Sequence, residues 1–254
     1  MTDRHAAASS DRGRVRERNE DRWLIRRQRS VLLLAVADGV GGEAGGEHAS
    51  EAAVGTLAER FYGALASQDL RAALTSAIRD ANDAVVRGAG ERGERSATTL
   101  VACAVRGREA TIANVGDSRA YLVRGRSARQ LTTDHSGARP NEVTRFLGDE
   151  RGVQPDVFVV TLRAGDRLLL CSDGLTRHVS DEELALRARA GEPSGAAAGL
   201  MELANERGGE DNVTVLVYRV RRSPLAGALV LAALLALLIA LAAVALPAGA
   251  LPAP

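Results

Sequence analysis

VLLLAVADGVGG, residues 31–42, is the stretch that organises the rest of the chain. Its first seven residues are all apolar, and a short unbroken run of this kind is typical of a strand buried on both faces. The strand ends at Asp38, and a glycine-rich turn follows. Apolar residues then recur at helical spacing from Glu47 to about Ala66 and again from Asp69 to about Arg87, so two amphipathic helices are predicted there.

The region after these helices is typical of β-structure. Turn pairs such as Arg106-Gly107 and Arg124-Gly125 separate short apolar runs, which indicates antiparallel hairpins. Ser180 and Glu183 have the spacing of a capping box at the start of a short helix, and a last helix is predicted at 195–207. Strands are predicted at 98–105, 110–115, 119–123, 128–131, 157–162, 167–172 and 213–220. The fold class is therefore mixed α/β (α+β) with antiparallel pairing.

Acidic residues recur where the predicted strands begin or end. Each of them alone is an ordinary turn or cap residue. If the strand ends meet at one edge of a packed sheet, however, the carboxylates would supply the hard oxygen ligands that Mg²⁺ and Mn²⁺ prefer. The residues concerned are Glu20, Asp21, Asp38, Asp117, Asp173 and Asp211.

Seven segments over about residues 9–220 resemble, in the same order, the motifs of the PPM (type 2C) protein phosphatases. This resemblance implies an α-β-β-α sandwich of two mainly antiparallel sheets flanked by helices. It also implies that a water activated by two metal ions hydrolyses phosphoserine and phosphothreonine in proteins. The segments are SDRGRVRERNED (10–21), LLAVADGVGG (33–42), ATTLVAC (97–103), IANVGDSRAYL (112–122), LTTDHS (131–136), LLCSDGLT (169–176) and EDNVTVLV (210–217).

The resemblance assigns a metal role to most of the acidic residues. Asp38 would bridge two ions, with Asp173 and Asp211 as further ligands of the first. Glu20, directly or through a water, and the backbone carbonyl of Gly39 would hold the second. Glycine suits that position because no side chain stands between the backbone and the ion.

Two further residues complete the predicted site. Asp117, together with Asp173, matches a third metal position common in bacterial members, so the expected cofactors are two ions of Mn²⁺ or Mg²⁺ and, with that position, a third. Arg16 matches the arginine that binds substrate phosphate, and its planar fork can grip two phosphate oxygens at once. Arg16 and Asp38 are therefore the predicted catalytic residues.

The sequence departs from the family pattern in two places. Val40 stands where many eukaryotic members carry a histidine proposed as general acid, and only residues 137–141 remain where many members have a longer helical flap. Two other functions compete with that of a phosphatase. The glycine-rich turn imitates a dinucleotide-binding loop, but an aspartate entering that loop would repel pyrophosphate. A catalytically inactive binding module should have lost a metal ligand, and none is missing.

The bulk composition limits the partners and the redox compartment. A net charge of +1 over 254 residues is not typical of a nucleic-acid-binding protein, which usually carries an excess of positive charge. The two cysteines, Cys103 and Cys171, lie in apolar runs and are predicted to be buried reduced thiols. The expected partners are phosphoproteins and, by family analogy, a membrane serine/threonine kinase.

Residues 225–246 form an uncharged apolar run that predicts a transmembrane helix, since as a helix it would span about 33 Å. Arg219, Arg221 and Arg222 precede the run, and the positive-inside rule then places the domain before it in the cytoplasm. The predicted organisation is a phosphatase domain (1–220), a linker (221–224), a single membrane span (225–246) and a short non-cytoplasmic tail (247–254), which places the protein in the cell membrane.

Overall fold

Two five-stranded antiparallel sheets form the centre of the protein. The structure is a computed structural model that describes residues 3–40, 45–139 and 142–221. The first sheet contains, in spatial order, β1 (Ala6–Asp11), β12 (Val213–Arg219), β11 (Arg167–Cys171), β8 (Arg119–Arg124) and β9 (Ser127–Gln130). The second contains β10 (Asp156–Thr161), β7 (Glu109–Val115), β6 (Leu100–Arg106), β3 (Val31–Ala37) and β2 (Arg22–Gln28).

Helices cover the outer face of each sheet. The second sheet packs against α1 (Gly45–Ala64) and α2 (Leu70–Arg92). The first sheet packs against α3 (Asp173–Thr176), α4 (Asp181–Arg187) and α5 (Pro193–Glu206). A two-stranded ladder of β4 (Gly39–Val40) and β5 (Ala97–Thr98) extends beyond the second sheet. The predicted α-β-β-α sandwich is therefore confirmed.

Strand β3 explains why the opening apolar run has no polar position. Leu34 and Val36 face the layer between the two sheets, whereas Leu33 and Ala35 face the helices α1 and α2. All seven of its residues are buried. A strand covered on both faces removes apolar surface from water at every position, so alternation with polar residues disappears.

Two strands of the main sheets were missed by the sequence patterns, whereas the hairpins predicted at Arg106-Gly107 and Arg124-Gly125 are present as β6–β7 and β8–β9. Strand β1 has the sequence AAASSD, which carries no strand preference of its own, and it forms because it pairs with β12 from Ala6↔Tyr218 to Asp11↔Val213. Strand β2 is the other missed strand. The consecutive strands β7 and β8 do not pair, and neither do β10 and β11, since each pair is divided between the two sheets.

The crossover from β7 to β8 has a consequence for the acidic residues. Gly116 opens it with a φ of +107°, and a Cβ there would lie 2.6 Å from the Cβ of Thr99, so only glycine fits. The next residue, Asp117, is thereby carried to the end of the sandwich where β3 and β11 also finish.

The predicted membrane span at 225–246 and the tail after it lie outside the described residues. Among the residues that the structure does describe, no helix has both the length and the apolar character needed to cross a bilayer. The two cysteines are buried and unpaired, as predicted.

Candidate metal and phosphate site

A cavity of about 300 Å³ opens where the strand ends meet. All seven residues that the sequence predicted for the site line it, although their individual roles stay predictions. Three further residues that were not in that set, Val40, Val143 and Arg177, complete the lining. The predicted residues are Arg16, Glu20, Asp38, Gly39, Asp117, Asp173 and Asp211.

Asp38 is fixed at the cavity by backbone and hydroxyl contacts from the neighbouring segment. Its amide donates to Thr99 Oγ1 at 3.1 Å, and its carbonyl accepts from the Thr99 amide at 2.9 Å and from Thr98 Oγ1 at 2.8 Å. With both backbone groups satisfied on one side, the carboxylate is free to face the cavity.

Gly39 sits where two pieces of backbone close in on it. A Cβ at this position would lie 2.4 Å from the carbonyl oxygen of Gly46, at the start of α1, and 2.8 Å from that of Glu20. Ser50 Oγ donates to the same Glu20 carbonyl at 2.6 Å. The glycine therefore lets the end of β3 approach both the helix and the Glu20 segment.

Asn212 joins the connection between β1 and β2 to the start of β12 at the cavity. Its Oδ1 accepts a hydrogen bond from the Glu20 amide at 2.8 Å. Its Nδ2 donates to the carbonyls of Arg12 and Arg18 at 2.9 and 2.8 Å. Since Asp211 is the preceding residue, this one side chain sets the separation between the Glu20 segment and Asp211.

The carboxylates repel one another strongly enough to change their protonation. Burial, and then the charges of Asp21, Asp173, Asp211 and Asp117, raise the pKa of Asp38 well above its ordinary value. Burial, and then the charge of Asp173, raise the pKa of Asp117 to about 6. Bound cations would neutralise this negative charge and relieve the repulsion between the carboxylates.

Asp21, one of the acidic residues at the predicted strand ends but not among the residues assigned a metal by the resemblance, is a buried carboxylate behind the cavity. Ser172 Oγ donates to its Oδ2 at 2.7 Å, and burial raises its pKa to about 7. It adds negative charge next to Asp38 without lining the cavity itself. Its place beside Glu20 in the motif was the available signal.

Arg177 is the functional residue that the sequence argument missed. It follows α3, where its guanidinium pairs with Asp173 through both Nε and Nη2 and lies 3.7 Å from Asp211 Oδ2. Arg16 donates to the same Asp211 oxygen at 2.9 Å. The four-residue spacing from Asp173 to Arg177 was the one signal in the sequence, because residues four apart on a helix are neighbours.

The donor set fits divalent metal ions. Glu20 Oε1 and Asp173 Oδ1 are buried without a hydrogen-bond partner, and Asp21 Oδ1 is in the same situation. Unpaired buried carboxylate oxygens are costly unless a cation binds them. Within the described ranges no three acidic, histidine or cysteine side chains already form a closed metal cage, since Asp173 and Asp211 are turned towards arginines. The shared cavity and the mutual repulsion nevertheless show that the carboxylates face one space.

Neither histidine near the predicted motifs lines this cavity. The amide of Gly116 donates to His135 Nδ1 at 3.0 Å, and His135 Nε2 lies 3.1 Å from Asp156 Oδ2. His135 therefore supports the turn that carries Asp117. His48 Nδ1 lies 2.9 Å from Glu94 Oε1. Both contacts are structural.

The raised pKa values predict an unusual pH dependence for the protein stripped of divalent ions by chelation. The folded pKa values of Asp21 and Asp117, about 7 and about 6, lie above their ordinary value of 3.8. Between about pH 4 and pH 7 the folded state thus binds more protons than the unfolded state, so stability falls as the pH rises. With EDTA, we expect a higher Tm at about pH 5 than at about pH 8.

Saturating Mn²⁺ should reverse that order, because protons then compete with the metal for the carboxylates. Thermal unfolding followed by circular dichroism measures both series. A Tm in EDTA that rises with pH over this range would contradict the repulsion inferred here.

Comparisons with known proteins agree with this geometry. Residues 11–203 match the family described as protein phosphatase 2C. The serine/threonine phosphatase stp of Listeria welshimeri is 36% identical over 84% of this chain and 94% of its own length. The serine/threonine protein phosphatase PstP of Mycobacterium tuberculosis is 37% identical over 84% of this chain, which spans 44% of PstP.

Solved structures extend the similarity to three dimensions. The catalytic domain of PstP in complex with two manganese ions aligns with a TM-score of 0.74 at 36% identity, covering 85% of this chain and 98% of that one. PppA, described as a key regulatory component of the type VI secretion system of Pseudomonas aeruginosa, aligns with a TM-score of 0.75 at 34% identity, covering 84% and 96%. The chain therefore belongs to the protein phosphatase 2C family.

Proposed function

We propose that this chain removes phosphate from phosphoserine and phosphothreonine in proteins and that it depends on Mn²⁺ or Mg²⁺ to do so. The observation that carries the proposal is the convergence of five carboxylates and Arg16 on one cavity. The relatives named as serine/threonine phosphatases and the PstP structure with two manganese ions support it. An inactive binding module is disfavoured, because every predicted ligand is present at the cavity.

The carboxylates of the cavity and the Gly39 carbonyl would bind the metal ions. When bound, two divalent ions acidify water and stabilise the charge that develops in an in-line displacement at phosphorus. Asp38 would hold both ions, one of them together with Glu20 and the Gly39 carbonyl and the other together with Asp173 and Asp211. Asp117 would serve a third position with Asp173.

Arg16 would bind the substrate phosphate, and its ion pair with Asp211 positions its guanidinium group. The arginine side chain is half exposed, and it donates to Asp211 from the rim of the cavity. Its remaining N–H groups can donate to phosphate oxygens. The phosphorus is then oriented towards the carboxylate cluster.

Chelation tests the proposal directly. EDTA should abolish the hydrolysis of a phosphothreonine peptide by the purified chain, and Mn²⁺ in excess should restore it. Activity that persists in EDTA would refute metal dependence. Mn²⁺ binding without any turnover would instead favour the inactive binding module.

Arg16→Ala should mainly raise KM, by about tenfold to a hundredfold, while kcat changes little. The reason is that Arg16 contacts the phosphate in the ground state as well as in the transition state. Steady-state kinetics on a phosphopeptide measure the two constants. Arg126→Ala changes an exposed arginine of the β8–β9 hairpin that does not line the cavity, and it is the matched control. A fall in kcat alone would contradict the phosphate-binding role.

A membrane anchor at residues 225–246 also remains a proposal, supported by the apolar run and the three arginines before it. One of these, Arg219, ends β12 and pairs with Glu192 at 2.8 Å. Anchoring would place the cavity beside phosphoproteins at the cytoplasmic face of the cell membrane, including targets of a membrane serine/threonine kinase.

The full chain should resist extraction of membranes with alkaline carbonate, whereas a chain truncated after Arg222 should appear in the soluble fraction. The physical reason is that burying about 20 apolar residues in a bilayer is not reversed by removing peripheral contacts. Protease added outside intact cells should leave the catalytic domain uncut. Cleavage from outside would overturn the proposed orientation, and release of the full chain by carbonate would overturn the anchor.

A further inference from the structure

We propose that residues 12–18, RGRVRER, here called the arginine loop, form a docking surface for acidic side chains next to the phosphorylated residue of the substrate. The inference rests on the proposed function and adds a substrate class to it: phosphopeptides with Asp or Glu near the phosphosite. It is carried by the fixed backbone of the loop, its unpaired charge and its position at the cavity.

The first part of the arginine loop is fixed to the segment before β12. Gly13 has a φ of +81°, and a Cβ on it would lie 2.3 Å from the carbonyl oxygen of Asp211. The amide of Arg14 donates to the Gly209 carbonyl at 2.7 Å. The Gly13 amide donates to Asp11 Oδ1 at 2.8 Å.

The ends of the arginine loop are held by Asn212, whose Nδ2 donates to the carbonyls of both Arg12 and Arg18. The backbone is therefore held at Arg12, Gly13, Arg14 and Arg18. A surface fixed before the ligand arrives loses less conformational entropy on binding than a mobile one.

The side chains of the arginine loop carry charge that the protein itself does not neutralise. Four arginines and one glutamate give the loop a net charge of +3, in a chain whose net charge is +1. All four arginines are exposed, and Val15 between them is 67% exposed. Arg16 pairs with Asp211, but within the described ranges neither Arg14 nor Arg18 forms an ion pair or a side-chain hydrogen bond.

The position of the loop selects the ligand. Arg16 lines the cavity that would take the phosphate, and Arg14 and Arg18 stand two residues to either side of it. An extended peptide advances about 3.3 Å per residue, so side chains within a few positions of the phosphorylated residue pass beside the loop. Guanidinium groups bind carboxylates through paired N–H donors, which matches aspartate and glutamate.

The test uses two phosphothreonine peptides that differ only in flanking residues, Asp and Glu in one and Asn and Gln in the other. The full-length chain with saturating Mn²⁺ should show about a fivefold higher kcat/KM for the acidic peptide, since each exposed ion pair contributes modestly. The preference should shrink in high salt. Arg14→Gln combined with Arg18→Gln should abolish it and leave p-nitrophenyl phosphate turnover unchanged.

The matched control is Arg126→Gln combined with Arg129→Gln, two exposed arginines of the β8–β9 hairpin that do not line the cavity. This control should keep the preference for the acidic peptide. Three outcomes would overturn the inference. The natural chain could hydrolyse the two peptides at equal rates, or the preference could survive in Arg14→Gln combined with Arg18→Gln. The third outcome is a loss of p-nitrophenyl phosphate turnover in that Arg14 and Arg18 double variant. No p-nitrophenyl phosphate turnover by the natural chain would instead mark a failure of the proposed phosphatase function.

Discussion

Asp38→Asn is expected to lower phosphopeptide turnover by about a thousandfold or more at saturating Mn²⁺, because losing the proposed bridging ligand would remove several kcal/mol of transition-state stabilisation. Asparagine keeps the shape of the side chain and removes its charge. The same change should make the chelated protein more stable, since Asp38 is repelled by four other carboxylates. Activity and metal-free stability should therefore move in opposite directions.

Three measurements check this expectation: steady-state turnover, Mn²⁺ binding by calorimetry and urea unfolding in EDTA. The control is Asp166→Asn, which changes a buried carboxylate outside the cavity that pairs with Arg124 at the far end of β11. That variant should lose stability and keep Mn²⁺ binding and turnover. Near-normal turnover in Asp38→Asn would show that Asp38 has no role in catalysis. An unchanged urea midpoint in EDTA would show that repulsion by the other carboxylates does not destabilise the metal-free protein.

Gly39→Ala is the second change with a large expected effect. The added methyl group would meet the carbonyl oxygens of Gly46 and Glu20, and both are backbone atoms that cannot turn aside. Overpacking of this kind costs about 1–3 kcal/mol. Because relief would come from moving α1 or the Glu20 segment, we expect Mn²⁺ binding to weaken at least tenfold as well.

Gly55→Ala is the matched control for Gly39→Ala. Gly55 lies within α1, and a Cβ there would meet nothing within 4 Å. Alanine at this position should stabilise the helix by about 0.5–1 kcal/mol and leave Mn²⁺ binding unchanged. Urea midpoints and calorimetric titrations compare the two variants. If Gly39→Ala were as stable as the natural chain and bound Mn²⁺ normally, the close approach at Gly39 would not matter to the site.

The elements that the sequence predicted well are those whose pattern is local. Strand β3 was predicted at 31–37 and is observed there, because an unbroken apolar run reports burial on both faces. The capping box of Ser180 and Glu183 is also present. Strand β1, by contrast, depends on β12, which lies about 200 residues later in the chain. The sequence of β1 alone has weak strand propensity, so it does not predict pairing with a strand so distant in the chain.

For the candidate site, too, the sequence predicted some features, whereas others are seen only in the folded structure. Carboxylates and glycines in ordered motifs predicted which residues meet, and the structure brings them to one cavity. Arg177 was missed because an arginine at the end of a short helix is usually solvated, and only the folded geometry shows it beside Asp173. Gly39 was expected for the approach of an ion, whereas the structure adds a packing reason, the nearby backbone of α1.

The pairing of β1 with β12 also determines when the protein can begin to work during its synthesis. Strand β12 lies between β1 and β11, so the first sheet cannot close until its last strand has left the ribosome. Asp211, which lines the cavity, and Asn212, which holds the Glu20 segment, emerge at the same late stage. Pairing over so long a sequence separation is also slow. A nascent chain that stops short of β12 would therefore lack both a closed sheet and a complete site, so it could not act as a phosphatase.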